Sequence, residues 1–306
     1  MRTRRGVLLV ALVAGTALGA FARPPQALRD TRPFRSGIDI TTITATVRDA
    51  SGRLVTGLPR EAFDVYEDGE PQTVTQFTRD RVPIGLGVLL DISDSMYGKR
   101  IQDARAAVDR FLFELLDPGD EVFLLAFNHR PHVLTGWTSA PDVVRRALDG
   151  LRPSGGTAAY DAVLAALPLI ERRARERAAL LLISDGADTA STATLREVRS
   201  ALLRSDTFAY AIAIDSPEPR SINTRVNVQA LREITSGSGG RTEMVQSSGD
   251  LVNATARIAE ELNSQYVLGY TSPRGADGQF HSIRVRVSGS NYRVRARNGY
   301  VANRPS

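Results

Sequence analysis

An apolar run that ends in a cluster of oxygen donors constrains this chain more than any other stretch. Residues 84–90 read Ile-Gly-Leu-Gly-Val-Leu-Leu, and Asp91, Ser93 and Ser95 follow directly. Continuous apolarity predicts a strand buried on both faces, as in a parallel sheet covered by helices. Ligands of open α/β sheets bind at the carboxyl ends of such strands. The three side chains form a set of hard oxygen donors suited to Mg²⁺ or Mn²⁺, although alone they also fit an ordinary helix cap and turn.

Two later segments carry further oxygen donors in the same strand-to-loop context. Gly155-Gly156-Thr157 precedes an apolar helical pattern, and a second apolar strand, residues 180–183, leads to Asp185. Together with the first loop, these segments resemble the metal-ion-dependent adhesion site of von Willebrand factor type A domains. That site consists of Asp-x-Ser-x-Ser, then a Thr, then an Asp, in this chain order. The resemblance extends over roughly residues 82–265.

The resemblance implies a metal site and a function. It implies that Mg²⁺ or Mn²⁺ is held by five side chains: Asp91, Ser93, Ser95, Thr157 and Asp185. In the family the neutral hydroxyls leave the cation poorly neutralised, and an open position captures a carboxylate from a partner protein. The expected function is therefore metal-dependent protein binding, or adhesion. No general base or nucleophile accompanies the donors, so an enzyme is not expected.

Other functions share parts of this pattern. A dinucleotide-binding domain needs glycines where Asp91 to Ser95 stand, and a carboxylate there repels pyrophosphate, so this class is excluded. A haloacid-dehalogenase-like phosphatase also places a strand-end Asp over Mg²⁺. It needs a second Asp where this chain has Ser93, and a downstream lysine that is missing. This phosphatase stays as the weaker alternative, beside a scaffold whose metal site is vestigial.

Residues 1–22 are interpreted as a signal peptide. Arg2, Arg4 and Arg5 precede an apolar run of about fourteen residues, and Ala20-Phe21-Ala22 supplies small residues for cleavage. The run is shorter than the ~20 residues of a spanning helix. We therefore expect export to the periplasm or beyond, by the Sec or the twin-arginine route, with no membrane span after cleavage.

Composition agrees with an exported protein that does not bind nucleic acid. The chain has no cysteine, which excludes disulfides, thiolate metal sites and a lipid-anchored cysteine. The net charge of +5 includes the three arginines of the leader. Without them the chain is too close to neutral to favour nucleic acid as a partner.

The remaining sequence divides into a linker and strand-rich flanks around an α/β domain. Residues 23–37 are Pro- and Arg-rich and predict a linker, and residues 82–265 alternate strand and helix patterns. Residues 38–81 and 266–306 each hold three short strand patterns, too few for a stable domain. We therefore expect one small β-sandwich, built from both flanks, beside a doubly wound, mostly parallel sheet with helices on both faces. A phase slip at Thr41-Thr42 predicts a bulge in the first strand.

Flanking motifs support this division. The segments 63–69, Phe-Asp-Val-Tyr-Glu-Asp-Gly, and 261–270, Glu-Leu-Asn-Ser-Gln-Tyr-Val-Leu-Gly-Tyr, resemble those of exported bacterial proteins related to von Willebrand type A domains.

Arginines alternate with apolar residues in the last two strand patterns, at positions 284, 286, 293, 295 and 297. This spacing predicts one basic face, either solvated or bound to an acidic surface such as envelope glycan or lipid. Asp161, one helical turn beyond Thr157, is a candidate for hydrogen bonding around the metal ligands.

Overall fold

A computed structural model describes residues 40–112, 117, 119–185, 188–215, 227–275, 277–289 and 291–302. The predicted signal peptide and linker lie outside these residues, so both stay predictions. In the part of the chain described, no helix is long and apolar enough to cross a membrane.

The described residues form strands and helices in this chain order: β1 (Ile40–Arg48), β2 (Phe63–Glu67), β3 (Glu70–Gln72), β4 (Gln76–Thr78), β5 (Ile84–Asp91), α1 (Lys99–Arg110), β6 (Glu121–Phe127), β7 (Pro131–Thr138), α2 (Pro141–Asp149), α3 (Ala159–Glu171), β8 (Arg177–Ser184), α4 (Leu195–Arg204), β9 (Thr207–Ile214), α5 (Val228–Ser236), β10 (Thr242–Val245), α6 (Ser248–Asn263), β11 (Tyr266–Thr271), β12 (Phe280–Val287), β13 (Arg293–Ala296) and β14 (Gly299–Val301).

The central sheet has the strand order β10-β9-β8-β5-β6-β7. Its strands are parallel except for β7, which pairs antiparallel with β6 at the edge. Every residue of β5, β8 and β9 is buried, as their continuous apolar runs predict. Helices α1, α2 and α6 cover one face of the sheet and α3, α4 and α5 cover the other. The predicted doubly wound α/β fold is confirmed.

Gly87 of β5 leaves room for side chains of the two neighbouring strands, β6 and β8. A Cβ at this position would lie 2.3 Å from the ring of Phe123 and 2.6 Å from the side chain of Leu180. Glycine therefore fills a strand position where any side chain would force the core apart.

Two four-stranded antiparallel sheets are built from the chain's two flanks. Their strand orders are β13-β1-β11-β4 and β14-β12-β2-β3. Strand β1 pairs with β11 and β13, and β2 pairs with β12, so both sheets need strands from each flank. Apolar side chains of β1, β2, β11 and β12 fill the space between the sheets: Ile43, Ala45, Val47, Phe63, Val65, Tyr266, Leu268, Tyr270 and Ile283.

The predicted bulge at Thr41-Thr42 is absent. Residues Ile40 to Ala45 pair with β11 without a register shift. The sequence pattern led to a wrong prediction because β1 is covered on both faces. Ile43 and Ala45 lie in the sandwich core, while Thr44 is buried on the opposite face. A strand buried on both sides need not keep a clean polar and apolar alternation.

The predicted single basic face is also wrong, because β12 and β13 lie in different sheets. Arg284 and Arg286 of β12 are exposed. Arg295 and Arg297 instead form ion pairs with Glu261 and Asp206 of the α/β domain. Arginines that alternate in one linear pattern therefore lie in two different sheets of the fold.

Glu261, near the end of α6, is the centre of the polar contact between the sandwich and the α/β domain. Its carboxylate is fully buried and accepts hydrogen bonds from Arg48 and from the hydroxyl of Tyr210, each at 2.9 Å. Arg241 lies 3.4 Å away, and Arg295 also donates to it. This one carboxylate therefore joins side chains of β1 and β13 to a side chain of the central sheet.

Candidate metal centre

All five candidate metal ligands are buried at the carboxyl end of the central sheet. Asp91 is the last residue of β5, and Asp185 directly follows the adjacent parallel strand β8. Asp91 and Asp185 are 0% exposed, and Ser93, Ser95 and Thr157 are at most 5% exposed. Because β5 and β8 end at the same edge, the two carboxylates are neighbours in space.

The loop after β5 is ordered by its own donors and acceptors. The backbone N–H of Ser93 donates to Oδ1 of Asp91 at 2.8 Å, and the hydroxyls of Ser93 and Ser95 are 3.0 Å apart. Arg100, at the start of α1, donates to the carbonyl oxygen of Ser95 at 3.1 Å. The Asp-x-Ser-x-Ser segment is therefore a compact turn that holds its side-chain oxygens close together.

Backbone hydrogen bonds hold the glycine loop against this turn. The N–H of Asp94 donates to the carbonyl of Gly155 at 2.9 Å, and the N–H of Ser154 donates to that of Ile92 at 2.8 Å. Gly155 has a φ of +76°, and a Cβ there would lie 3.0 Å from Nδ1 of His129. The conformation and the close approach both require glycine.

The segment after β8 folds back onto Thr157. The backbone N–H of Thr157 donates to Oγ1 of Thr189 at 3.0 Å. In return, the N–H groups of Thr189 and Ala190 donate to the carbonyl oxygen of Thr157 at 2.8 and 2.9 Å. A Cβ at Gly156 would lie 3.1 Å from the Thr189 hydroxyl, so the second glycine also serves this contact. The loop that carries Thr157 therefore lies between the other two segments.

Burial and repulsion by the neighbouring Asp185 disfavour charge on Asp91. Burial, followed by the charge of Asp185, raises the pKa of Asp91 to about 7. The hydroxyl of Ser184 donates to Oδ2 of Asp91 at 2.6 Å and partly offsets that rise. A divalent cation would neutralise two such carboxylates, and the surrounding hydroxyls are the hard oxygen donors that Mg²⁺ accepts. The residues present therefore fit the implied metal.

Hydroxyl oxygens are essential to such a site. In the described part of the chain, no group of three or more His, Cys, Asp or Glu side chains is arranged to hold a metal. Two carboxylates alone offer too few ligands for a cation that takes six oxygens. A cation here would therefore depend on Ser93, Ser95 and Thr157.

Three polar residues near the ligands have roles that the sequence did not indicate. Ser184 was missed, and its only sequence signal is its place at the strand end, directly before Asp185. Asp161, expected to hydrogen-bond around the ligands, instead accepts hydrogen bonds from the backbone of Thr192 and Ala193 at 3.0 and 2.9 Å. Asp188 accepts from the backbone N–H of Tyr160 at 3.0 Å, at the start of α3.

A comparison with protein families gives a match for the part of the chain that carries the five candidate ligands. A family model described as von Willebrand factor type A domain matches residues 86–187. No curated protein matches the chain.

Solved structures share the fold. An aerotolerance-related membrane protein from Bacteroides fragilis NCTC 9343 is 22% identical, with a TM-score of 0.50 over 59% of this chain and 98% of its own. The vWF domain of the type V pili tip protein Mfa5 from Porphyromonas gingivalis is 14% identical, with a TM-score of 0.50 over 60% of this chain and 96% of its own.

A von Willebrand factor type A structure from Catenulispora acidiphila extends the likeness beyond the central sheet. It is 12% identical, with a TM-score of 0.53, and the alignment covers 88% of this chain and 76% of that chain. The sheet order, the three converging loops and the family match lead to one conclusion: the chain contains a von Willebrand factor type A domain.

Proposed function

We propose that this protein is a divalent-metal-dependent protein-binding module of the bacterial envelope. Mg²⁺ or Mn²⁺ is held by Asp91, Ser93, Ser95, Thr157 and Asp185 and captures a carboxylate of a partner protein. One observation carries the proposal: backbone hydrogen bonds join the three loops that bear these side chains at a single edge of the sheet.

The chain's own residues account for the expected chemistry. Asp91 is oriented by the hydroxyl of Ser184 and the backbone N–H of Ser93, so its two oxygens have fixed positions. The three hydroxyl ligands are neutral, so the bound cation keeps enough charge to attract one further carboxylate. Binding without catalysis is proposed because each of the five side chains is used as a ligand, which leaves none of them as a general base.

The proposed location combines the sequence with the relatives. A cleaved signal peptide leads to a periplasmic or secreted protein. Two proteins of similar fold are an aerotolerance-related membrane protein and the vWF domain of a pili tip protein, which supports an envelope setting. N-terminal sequencing of the exported protein is expected to begin near Arg23. An intact Met1 on a membrane-bound product would contradict cleavage.

The binding proposal is tested by capture from an envelope extract. The immobilised chain is incubated with Mg²⁺ or with EDTA, beside Thr157→Val, which removes one hydroxyl ligand and keeps the shape, and Thr138→Val as the matched control on β7. A protein retained by the wild type and Thr138→Val in Mg²⁺, and released by EDTA and by Thr157→Val, is the expected result. A partner retained equally in EDTA would contradict metal dependence.

A further inference from the structure

The turn between β6 and β7 lies at the same edge of the central sheet as the candidate metal ligands. Strand β6 is the parallel neighbour of β5, so this turn, residues 128–130, begins where β5 reaches the ligands. The N–H of Ile92, in the loop after β5, donates to the carbonyl oxygen of Phe127 at 2.8 Å. The N–H of Ala158, in the loop that carries the threonine ligand, donates to the carbonyl oxygen of Asn128 at 2.6 Å. The turn is therefore bonded to two of the three loops of the candidate site.

The two exposed residues of this turn are His129 and Arg130. Nδ1 of His129 lies 3.0 Å from the position that a Cβ of Gly155 would occupy, so the histidine contacts the glycine loop. Arg130, the next residue, forms no ion pair with any residue that the structure describes. A positive charge without a carboxylate partner therefore stands beside the loops of the candidate site.

A second arginine of this kind comes from the loop between α2 and α3. Arg152 is exposed and, among the described residues, has no carboxylate partner. Two residues later, the N–H of Ser154 donates to the carbonyl oxygen of Ile92 at 2.8 Å, and the hydroxyl of Ser154 accepts a hydrogen bond from the side chain of Asn128 at 3.3 Å. The loop that carries Arg152 is therefore bonded both to the loop after β5 and to the turn between β6 and β7.

The acidic residues near this edge leave the two arginines uncompensated. Asp161 and Asp188 are partly buried, and both accept hydrogen bonds from backbone N–H groups on the side of β8. Lys99, at the start of α1, is paired with Asp103. Asp94 is exposed in the turn after β5 and adds one negative charge. Two exposed arginines therefore outnumber one exposed carboxylate beside the candidate ligands, and this balance favours a negatively charged partner.

We propose that the partner presents its metal-bound carboxylate within an acidic segment, whose further carboxylates contact Arg130 and Arg152. This inference rests on the metal-dependent function proposed above and names the partner's chemistry: an extended stretch rich in aspartate or glutamate. Exposed ion pairs are individually weak, so the arginines select among the carboxylates that the metal captures and do not replace the metal.

Two peptides with blocked termini test the proposal. One is Asn-Gly-Asp-Gly-Asn, with a single carboxylate, and the other is Asp-Gly-Asp-Gly-Asp, with three. Both are offered to the immobilised full chain in saturating Mn²⁺ at low ionic strength. The number of carboxylates alone gives the second peptide an advantage of about 3-fold. Two exposed ion pairs at about 2–5-fold each raise that preference, so it is expected to reach at least ~10-fold.

A double variant locates the selection. Arg130→Gln combined with Arg152→Gln is expected to reduce the preference to the statistical factor of about 3. Its Mn²⁺ affinity, measured by calorimetry, is not expected to fall, because neither residue is a candidate ligand. Arg284→Gln combined with Arg286→Gln removes the same charge from exposed positions of β12 and is the matched control, expected to keep the wild-type preference. In ~1 M NaCl, where the screening length falls to about 3 Å, the wild type should behave as the double variant does.

The outcomes separate this inference from the function on which it rests. If the wild type binds both peptides in Mn²⁺ and neither in EDTA, but prefers the three-aspartate peptide only by its number of carboxylates, the inference is overturned and metal capture stands. An unchanged preference in the variant that lacks Arg130 and Arg152 would overturn it in the same way. No Mn²⁺-dependent binding of either peptide would contradict the metal-dependent function, and this inference with it.

Discussion

The hydroxyl of Ser184 donates a hydrogen bond of 2.6 Å to Oδ2 of Asp91, across 93 positions of the chain. The two residues end the adjacent parallel strands β8 and β5. This bond fixes one carboxylate oxygen while the backbone N–H of Ser93 fixes the other. The carboxylate is therefore oriented before any ligand arrives.

Replacing Ser184 by Ala is expected to weaken Mn²⁺ binding while leaving the fold intact. Removing a partner that orients a metal ligand typically lowers metal affinity by about 10–100-fold. Calorimetric titration with Mn²⁺ measures the change. Ser200→Ala, which removes a hydroxyl that accepts a hydrogen bond from Arg204 within α4, is the control. Equal Mn²⁺ affinity in both variants would mean that Ser184 does not support the site.

Glu261 is expected to contribute strongly to stability. Glu261→Ala leaves Arg48, Arg241 and Arg295 facing each other at a buried position, and breaking a buried ion pair costs about 3–5 kcal/mol. Urea unfolding measures the loss. Glu233→Ala removes the carboxylate from a partly exposed pair with Arg199 and should cost about 0–1 kcal/mol. Similar losses in the two variants would show that the buried network does not hold the domains together.

His281 predicts a pH-dependent contribution to stability. Hydrogen bonds to Asp68 at 2.8 Å and to Asp277 at 3.1 Å raise its pKa above the ordinary value of 6.5. A group whose pKa is raised by folding stabilises the folded state fully below its unfolded pKa, and that contribution is lost as the pH rises through the folded value.

The stability difference between the wild type and His281→Gln is therefore expected to be largest below pH 6.5 and to shrink at higher pH. Urea unfolding at a series of pH values measures it, with His132→Gln as a control histidine outside this contact. A difference that stays constant with pH would contradict a charged His281.

Strands with continuous apolar runs were predictable from the sequence, whereas individual side-chain contacts between distant segments were not. The apolar runs at residues 84–90 and 180–183 predicted strands buried on both faces, and they lie within β5 and β8, where every residue is buried. The flanks were expected to share one sandwich because each has too few strands, and the observed pairing agrees.

The wrong and the missing predictions have physical causes. Arg295 and Arg284 occupy similar places in the linear pattern, yet one contacts Glu261 and the other is exposed, because their strands enter different sheets. Strand β14 was missed because Gly299–Val301 is too short to show a period. Ser184 was missed because its partner Asp91 is distant in sequence. Sequence spacing shows which residues can serve as ligands, and only the packing shows what orients them.

Calorimetry with Mg²⁺ or Mn²⁺ measures directly whether two carboxylates and three hydroxyls of this chain hold a divalent cation. The wild type is compared with Asp91→Asn and Asp185→Asn, which keep the shape of each side chain and remove its charge. Asp161→Asn is the control, because the Asp161 carboxylate is not a candidate ligand and accepts hydrogen bonds from the backbone of Thr192 and Ala193. We expect Asp91→Asn and Asp185→Asn to fold and to lose most of the metal affinity, while Asp161→Asn binds the metal as the wild type does. Undiminished affinity in both Asp91→Asn and Asp185→Asn would contradict it.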